Sequence, residues 1–106
     1  MDKREAARVP VRVPALCRSL GLVIRGFVED VSRNGLFLRA PKLVAKGSQA
    51  RIELEMPDGE RLCLEAEVVR VEHNDERAGM GLRLIVEPAA RRPLANFIMR
   101  HHARAR

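Results

Sequence analysis

Two short groups of residues in this chain have the chemistry to hold an anion that carries a purine. Arg4 and Arg8 stand four residues apart in Arg-Glu-Ala-Ala-Arg, directly ahead of Val9-Pro10-Val11, with Lys3 beside them. Arginine presents a rigid fork of donors that meets two phosphate oxygens, or O6 and N7 of guanine, with two bonds at once. At this spacing both forks converge on one ligand if the segment curls by about one turn. The second group is Asp30-Val31-Ser32-Arg33-Asn34-Gly35. An ionised Asp carboxylate accepts two bonds side by side, matching the N1–H and N2–H donors of guanine. Ser32 adds a hydroxyl, and Gly35 is free to take positive φ and lets backbone N–H groups approach a ligand with no Cβ in the way. Each group also has an ordinary reading. Arginines near a chain end make a solvated arm, and Asp, Ser, Asn and Gly are what a hairpin turn uses. Together they describe a receptor for a guanine nucleotide with more than one phosphate.

The elements that must position these groups are strands. Val9 to Leu20 is rich in Val but carries Pro10 and Pro14, which restricts it to an edge strand or an arm entering one. Leu22 to Val31 is a second run, ended by Ser32-Arg33-Asn34-Gly35, and Leu36 to Arg39 is a third, stopped by Pro41. Ala50 to Met56 alternates, with Ile52, Leu54 and Met56 on one face and Arg51, Glu53 and Glu55 on the other. Pro57-Asp58-Gly59-Glu60 is a tight turn into a fifth strand with Leu62, Leu64, Ala66 and Val68 inward. His73 to Gly79 reads as a polar loop and Met80 to Val86 as a sixth strand. Six short strands with turns between them make a small barrel or sandwich. Beyond Pro88 the period changes: Leu94, Phe97, Ile98 and His101 share one helical face, with Pro93 in the first turn. This helix, over about 93–103, is expected to lid one end of the barrel.

Composition excludes several classes. With 106 residues there is one domain and one small core. Tyr and Trp are absent and Phe occurs three times, so no aromatic platform for stacking several bases can be built. No apolar run nears the about 20 residues that cross a bilayer, so the expected location is the cytoplasm, with no membrane partner. Cys17 and Cys63 lack a CxxC partner and are expected to be buried small hydrophobes, with no metal site. The net charge of +6 divides into +2 over 1–12, −1 over 13–90 and +5 over 91–106. A near-neutral body therefore carries two basic ends. His73, His101 and His102 form no chelating pair, since adjacent helical residues diverge by about 100°. No nucleophile motif or Gly-rich phosphate loop is present, so an enzyme is not expected.

The sequence resembles the PilZ domain family, whose members bind the bacterial second messenger cyclic di-GMP. The family signature, RxxxR followed by (D/N)xSxxG after the second strand, is matched by Arg4 and Arg8 and by Asp30, Ser32 and Gly35, in that order. Gly79-Met80-Gly81-Leu82-Arg83-Leu84 is similar to the late GxGhxF element, with Leu84 in place of the frequent Phe. The resemblance covers residues 3–103 and implies an all-β fold, a six-stranded antiparallel β-barrel with a C-terminal α-helix. It divides the chain into a flexible basic arm over 1–12, a barrel and helix over 9–103, and a basic tail over 104–106. By the same resemblance Arg4 and Arg8 clamp guanine and phosphate, Asp30 and Ser32 hold them from the barrel surface, and Gly35 permits close approach. Asn34 and Lys3 are further candidate contacts, Lys3 standing where some members carry an arginine and bind a stacked pair of ligands.

The function implied is a single-domain, stand-alone cyclic di-GMP receptor or adaptor with no cofactor. Its arm is expected to be mobile without ligand and to fold across Asp30 and Ser32 when ligand binds. The new shape is then read by a separate effector protein, the receptor being a monomer or weak homodimer. Two rivals remain: a PilZ-like interaction scaffold that binds no nucleotide, and a small barrel that binds RNA or DNA through its basic ends. The acidic bias of the body and the lack of stacking aromatics count against the second.

Overall fold

A computed structural model describes residues 8–56, 59–73 and 78–104. Six strands are followed by one helix: β1 (Val9–Ser19), β2 (Leu22–Val31), β3 (Gly35–Arg39), β4 (Gln49–Glu55), β5 (Arg61–His73), β6 (Ala78–Ile85) and α1 (Pro88–Arg104). All neighbours pair antiparallel, and the sheet closes in the order β1-β2-β3-β6-β5-β4. The chain is thus the six-stranded barrel with a terminal helix that the sequence led us to expect.

Alternation builds the core. Ile52 and Leu54 of β4, Leu62, Leu64, Ala66 and Val68 of β5, and Leu36 and Leu38 of β3 all point inward. Charged partners occupy the outer face, where Arg18 and Arg61 both reach Glu53, and Arg51 reaches Glu65 at 2.8 Å. The hydrogen bond from Arg18, chiefly, holds the Glu53 carboxyl below its ordinary range. Leu94 and Phe97 of α1 join the core and Ile98 packs against it, so the helix plugs the barrel as expected.

Four expectations need correction. β1 is no simple edge strand, because it pairs with β2 and with β4. Its pairing with β4 spans only Ala15 to Arg18, so Pro10 and Pro14 lie where β1 has one neighbour and no ladder bond is lost on the other side. The segment read as a polar loop from His73 to Gly79 is strand at both its ends, since β5 runs through His73, which pairs with Ala78 of β6, while residues 74–77 lie outside the described residues. The helix starts at Pro88 rather than near Pro93: Pro88 takes the first turn, where its missing N–H is no loss, and Pro93 is tolerated inside. Cys63 is exposed, because Leu62 and Leu64 on either side face the core and the residue between them must face out.

Cys17 is buried, and burial pushes its thiol above the ordinary range. In native protein a maleimide should therefore label one thiol, Cys63, and in denaturant two. Two equally fast thiols under native conditions would contradict this packing.

Candidate ligand-binding site

A strand in a closed barrel alternates between core and solvent, and β2 breaks that rule next to its acidic pair. Val28 and Val31 are both fully buried, yet three residues apart they should face opposite ways. The register with β3 shifts between Val28 and Asp30, an irregularity that accommodates one extra residue and turns both Glu29 and Asp30 outward. Similar shifts occur in β1 between Pro10 and Val13 and in β5 between Val68 and Arg70. Bulges of this kind re-aim side chains, and these three border one stretch of outer surface.

Across that surface runs a single row of paired residues: Pro10 with Asp30, Asp30 with Phe37, Phe37 with Gly81, and Gly81 with Arg70. Phe37 is buried yet lies outside the core cluster, since Leu36 and Leu38 on either side of it face inward. Its ring fills the place that a Cβ on Gly79 would occupy, and the Arg70 guanidinium sits 5.6 Å from the ring centroid. Arg70 also reaches the Glu72 carboxylate at 3.4 Å. Glu29 is engaged by Arg39 at 3.1 Å.

Of the signature residues, Arg8 and Asp30 are brought together, with Nη2 of Arg8 at 2.9 Å from Oδ1 of Asp30. The contact is between charges and lacks hydrogen-bond alignment: among the described residues, the buried Oδ1 accepts no hydrogen bond. An acceptor held only by a charge contact still has room for an aligned external donor. Val9, the next residue, is buried and pairs with Val31, which anchors the end of the arm beside Asp30. Arg4 and Lys3 lie outside the described residues.

Ser32 is placed differently from the expectation that it faces a ligand. It is 3% exposed and its Oγ accepts bonds from the N–H groups of Asn34 and Gly35, both at 3.2 Å, while its own N–H donates to the Gly35 carbonyl at 2.8 Å. The hydroxyl thus ties the turn between β2 and β3. Asn34 is exposed and its carbonyl accepts from the N–H of Leu84, locking the turn to β6. Gly35 is not in the positive-φ region. Its need is proximity: a Cβ there would stand 2.7 Å from the Leu82 carbonyl oxygen of the neighbouring strand.

Two clefts lie nearby without containing Asp30 or Arg8. One of about 470 Å³ on the outer face includes Pro14, Phe27 and Arg39, and one of about 510 Å³ separates Asn34 from Arg91 and Leu94 of α1. The candidate site is a shallow face, suited to a flat ligand covered from above. Arg70 and Phe37 were missed in reading the sequence. The signal was the pair Gly79 and Gly81, whose missing side chains imply that something bulky lies across β6.

The sequence profile of the PilZ domain family matches residues 2–100, and the chain belongs to that family, a family of cyclic di-GMP receptors. PilZ domains are ligand-binding receptor or adaptor domains. The PilZ domain of YcgR from Escherichia coli, solved with c-di-GMP, superposes with a TM-score of 0.86 at 16% identity, covering 99% of this chain and 95% of that one. The motility inhibitor MotI of Bacillus subtilis superposes at 0.82 with 18% identity, covering 100% of this chain and 54% of that one. A YcgR chain from Escherichia coli in complex with c-di-GMP gives 0.81 at 21% identity, covering 99% and 48%. The chain therefore spans about half the length of the MotI chain and of the latter YcgR chain. No protein of curated function matches the sequence.

Gly35→Ala should destabilise the barrel by about 2 kcal/mol through the clash with Leu82, and Ser32→Ala by about 1 kcal/mol through loss of the turn's acceptor. Urea denaturation midpoints measure both. Wild-type midpoints would show that these residues serve something other than the turn.

Proposed function

We propose that this chain binds cyclic di-GMP on the outer face marked by Asp30, Phe37 and Arg70, with the arm closing over it. The observation that carries the reading is the meeting of Arg8 and Asp30, whose buried Oδ1 is held among the described residues by a charge contact and not by an aligned hydrogen bond. A guanine offers N1–H and N2–H to that carboxylate and O6 and N7 to an arginine fork. One base thus satisfies both partners, each on a different edge. To enter it must part the 2.9 Å contact, so ligand binding and release of Arg8 from Asp30 are one event. Arg4 adds a second fork, and with Lys3 and Asn34 it completes the contacts expected from the family. Arg70 contributes a flat cation across the row, a surface on which a purine can stack.

Ser32 and Gly35 act in this reading by holding the turn that fixes Asp30. Phosphate charge on the ligand draws the basic arm, including Arg4, onto the barrel. The closed arm is then a new surface for an effector protein to read. Relatives solved with c-di-GMP on the same fold support the ligand class.

Titration calorimetry with cyclic di-GMP, GTP and a short RNA, on protein freed of carried-over nucleotide, tests this. Cyclic di-GMP should give heat and the others little. Arg8→Ala and Asp30→Ala should each weaken binding by at least about 1.5 kcal/mol, and Arg70→Ala by about 1 kcal/mol. Melting temperatures of the three should stay near wild type, since the side chains lie on the outer face. No heat with cyclic di-GMP would leave the interaction scaffold as the better reading, and unfolding of both Arg8→Ala and Asp30→Ala would make those residues structural.

A further inference from the structure

Leu20 is, among the described residues, the one non-glycine with positive φ, at 55°, and Gly21 follows at 78°. They are the two central residues of the turn joining β1 to β2, and a hairpin turn with both φ positive favours Asn, Asp or Gly at its first centre. A leucine there is held against its backbone preference. It packs against little in return, being 73% exposed, and a Cβ on Gly21 would meet nothing within 4 Å. The turn closes the hairpin beside Gln49 of β4, whose carbonyl accepts from the Ser19 hydroxyl, and leaves its apolar side chain to solvent.

The residues that follow continue the pattern. Leu22 is 47% exposed and Val23 54%. Consecutive strand residues face opposite ways, so apolar surface covers the end of the ribbon and both its sides. A flat partner would cover one side only. Leu20, Leu22 and Val23 lose their water contact together if the tip is immersed, which leaves Arg18 and Arg51 at the rim of the same open surface.

Charge lies just behind the tip. Arg18 stands opposite Val23 on one neighbour and opposite Arg51 on the other, and Arg25 stands opposite Leu16. Arg18 is two residues back from Leu20, about 7 Å along a strand. Interfacial segments bury their apolar part by about 5–10 Å below lipid headgroups. Glu53 and Glu65 sit in this belt, bonded to Arg18 and Arg51, and Arg25 adds a third cation.

We propose that the tip of the β1–β2 hairpin docks this protein on an anionic lipid surface, with Leu20, Leu22 and Val23 in the interfacial layer and the arginines at the phosphates. The sequence led us to expect no membrane partner on the ground that no run is long enough to span, and no helix among the described residues is long and apolar enough to span; docking at a surface needs no span. Asp30 lies eight residues along β2 from Leu22, about 27 Å away, so a docked tip leaves the candidate ligand face open. The proposal does not depend on nucleotide binding.

Co-sedimentation with vesicles tests it, using phosphatidylcholine alone and an equimolar mixture with phosphatidylglycerol. Wild-type protein should sediment with the mixture and much less with phosphatidylcholine. Leu20→Asn and Val23→Thr keep every charge, and each should weaken binding to the mixture about tenfold. Asn suits positive φ and Thr suits a strand, so melting temperatures should not fall. Should Leu20→Asn unfold, Val23→Thr decides the matter alone. Absence of binding to the mixed vesicles overturns the proposal and turns attention to an apolar groove on a protein. Binding that neither variant alters also overturns it, since the basic chain ends would then suffice.

Discussion

The site depends on a conflict between period and position in β2. The barrel needs Val28 and Val31 in its core, and the candidate ligand face needs Asp30 outside it. A regular strand cannot supply both, because residues an odd number apart point to opposite faces. The extra residue at Glu29 resolves the conflict and leaves two adjacent carboxylates outward. Arg39 engages the first and Arg8 the second, so the charge that the bulge exposes is balanced from both neighbouring elements. The shifts in β1 and β5 complete one irregular region in an otherwise regular barrel.

Around that region the signature residues and their neighbours divide by physical task. Ser32, Gly35 and Gly79 shape the backbone: one ties the turn, one lets β3 approach β6, and one makes room for the Phe37 ring. Arg8, Asp30 and Arg70 present charge on the surface so formed. A change in the first set alters where the second set stands. The same fold at its other end carries an exposed apolar turn, so the two ends of one hairpin offer different chemistry.

Much of this was legible in the sequence. Alternation in β4 and β5 located those strands, and Leu94, Phe97 and Ile98 the helix, because each pattern reflects one face meeting one core; the turn expected at Pro57 and Asp58 lies outside the described residues. Cys63 was misplaced because its residue type was weighed over the period, by which its neighbours Leu62 and Leu64 already implied the outer face. The start of α1 was misplaced because two prolines, Pro88 and Pro93, both satisfy the first-turn rule, and which one begins the helix depends on where β6 ends. Arg70 was hidden because its position follows from a register shift, a property of two strands together rather than of either. Ser32 and Gly35 were found by residue type, and their tasks by their neighbours: the turn's own N–H groups and a carbonyl on β6 are far from the motif in composition but adjacent in space.

The Arg8–Asp30 contact also bears on how a ligand would enter under the proposed reading. Both side chains are partly exposed, at 40% and 30%, and an ion pair in that setting contributes about 0–1 kcal/mol. Parting it is a small cost beside the charge-assisted hydrogen bonds that a guanine and its phosphates would form with the same groups. The pair therefore does little to oppose a ligand. What it does is hold Arg8 within reach of the carboxylate, where Val9 packing against the barrel already restricts the chain. Under the proposed reading, an arginine kept near its task would lose less freedom on binding than one drawn from solution, so preorganisation would add to the contacts themselves.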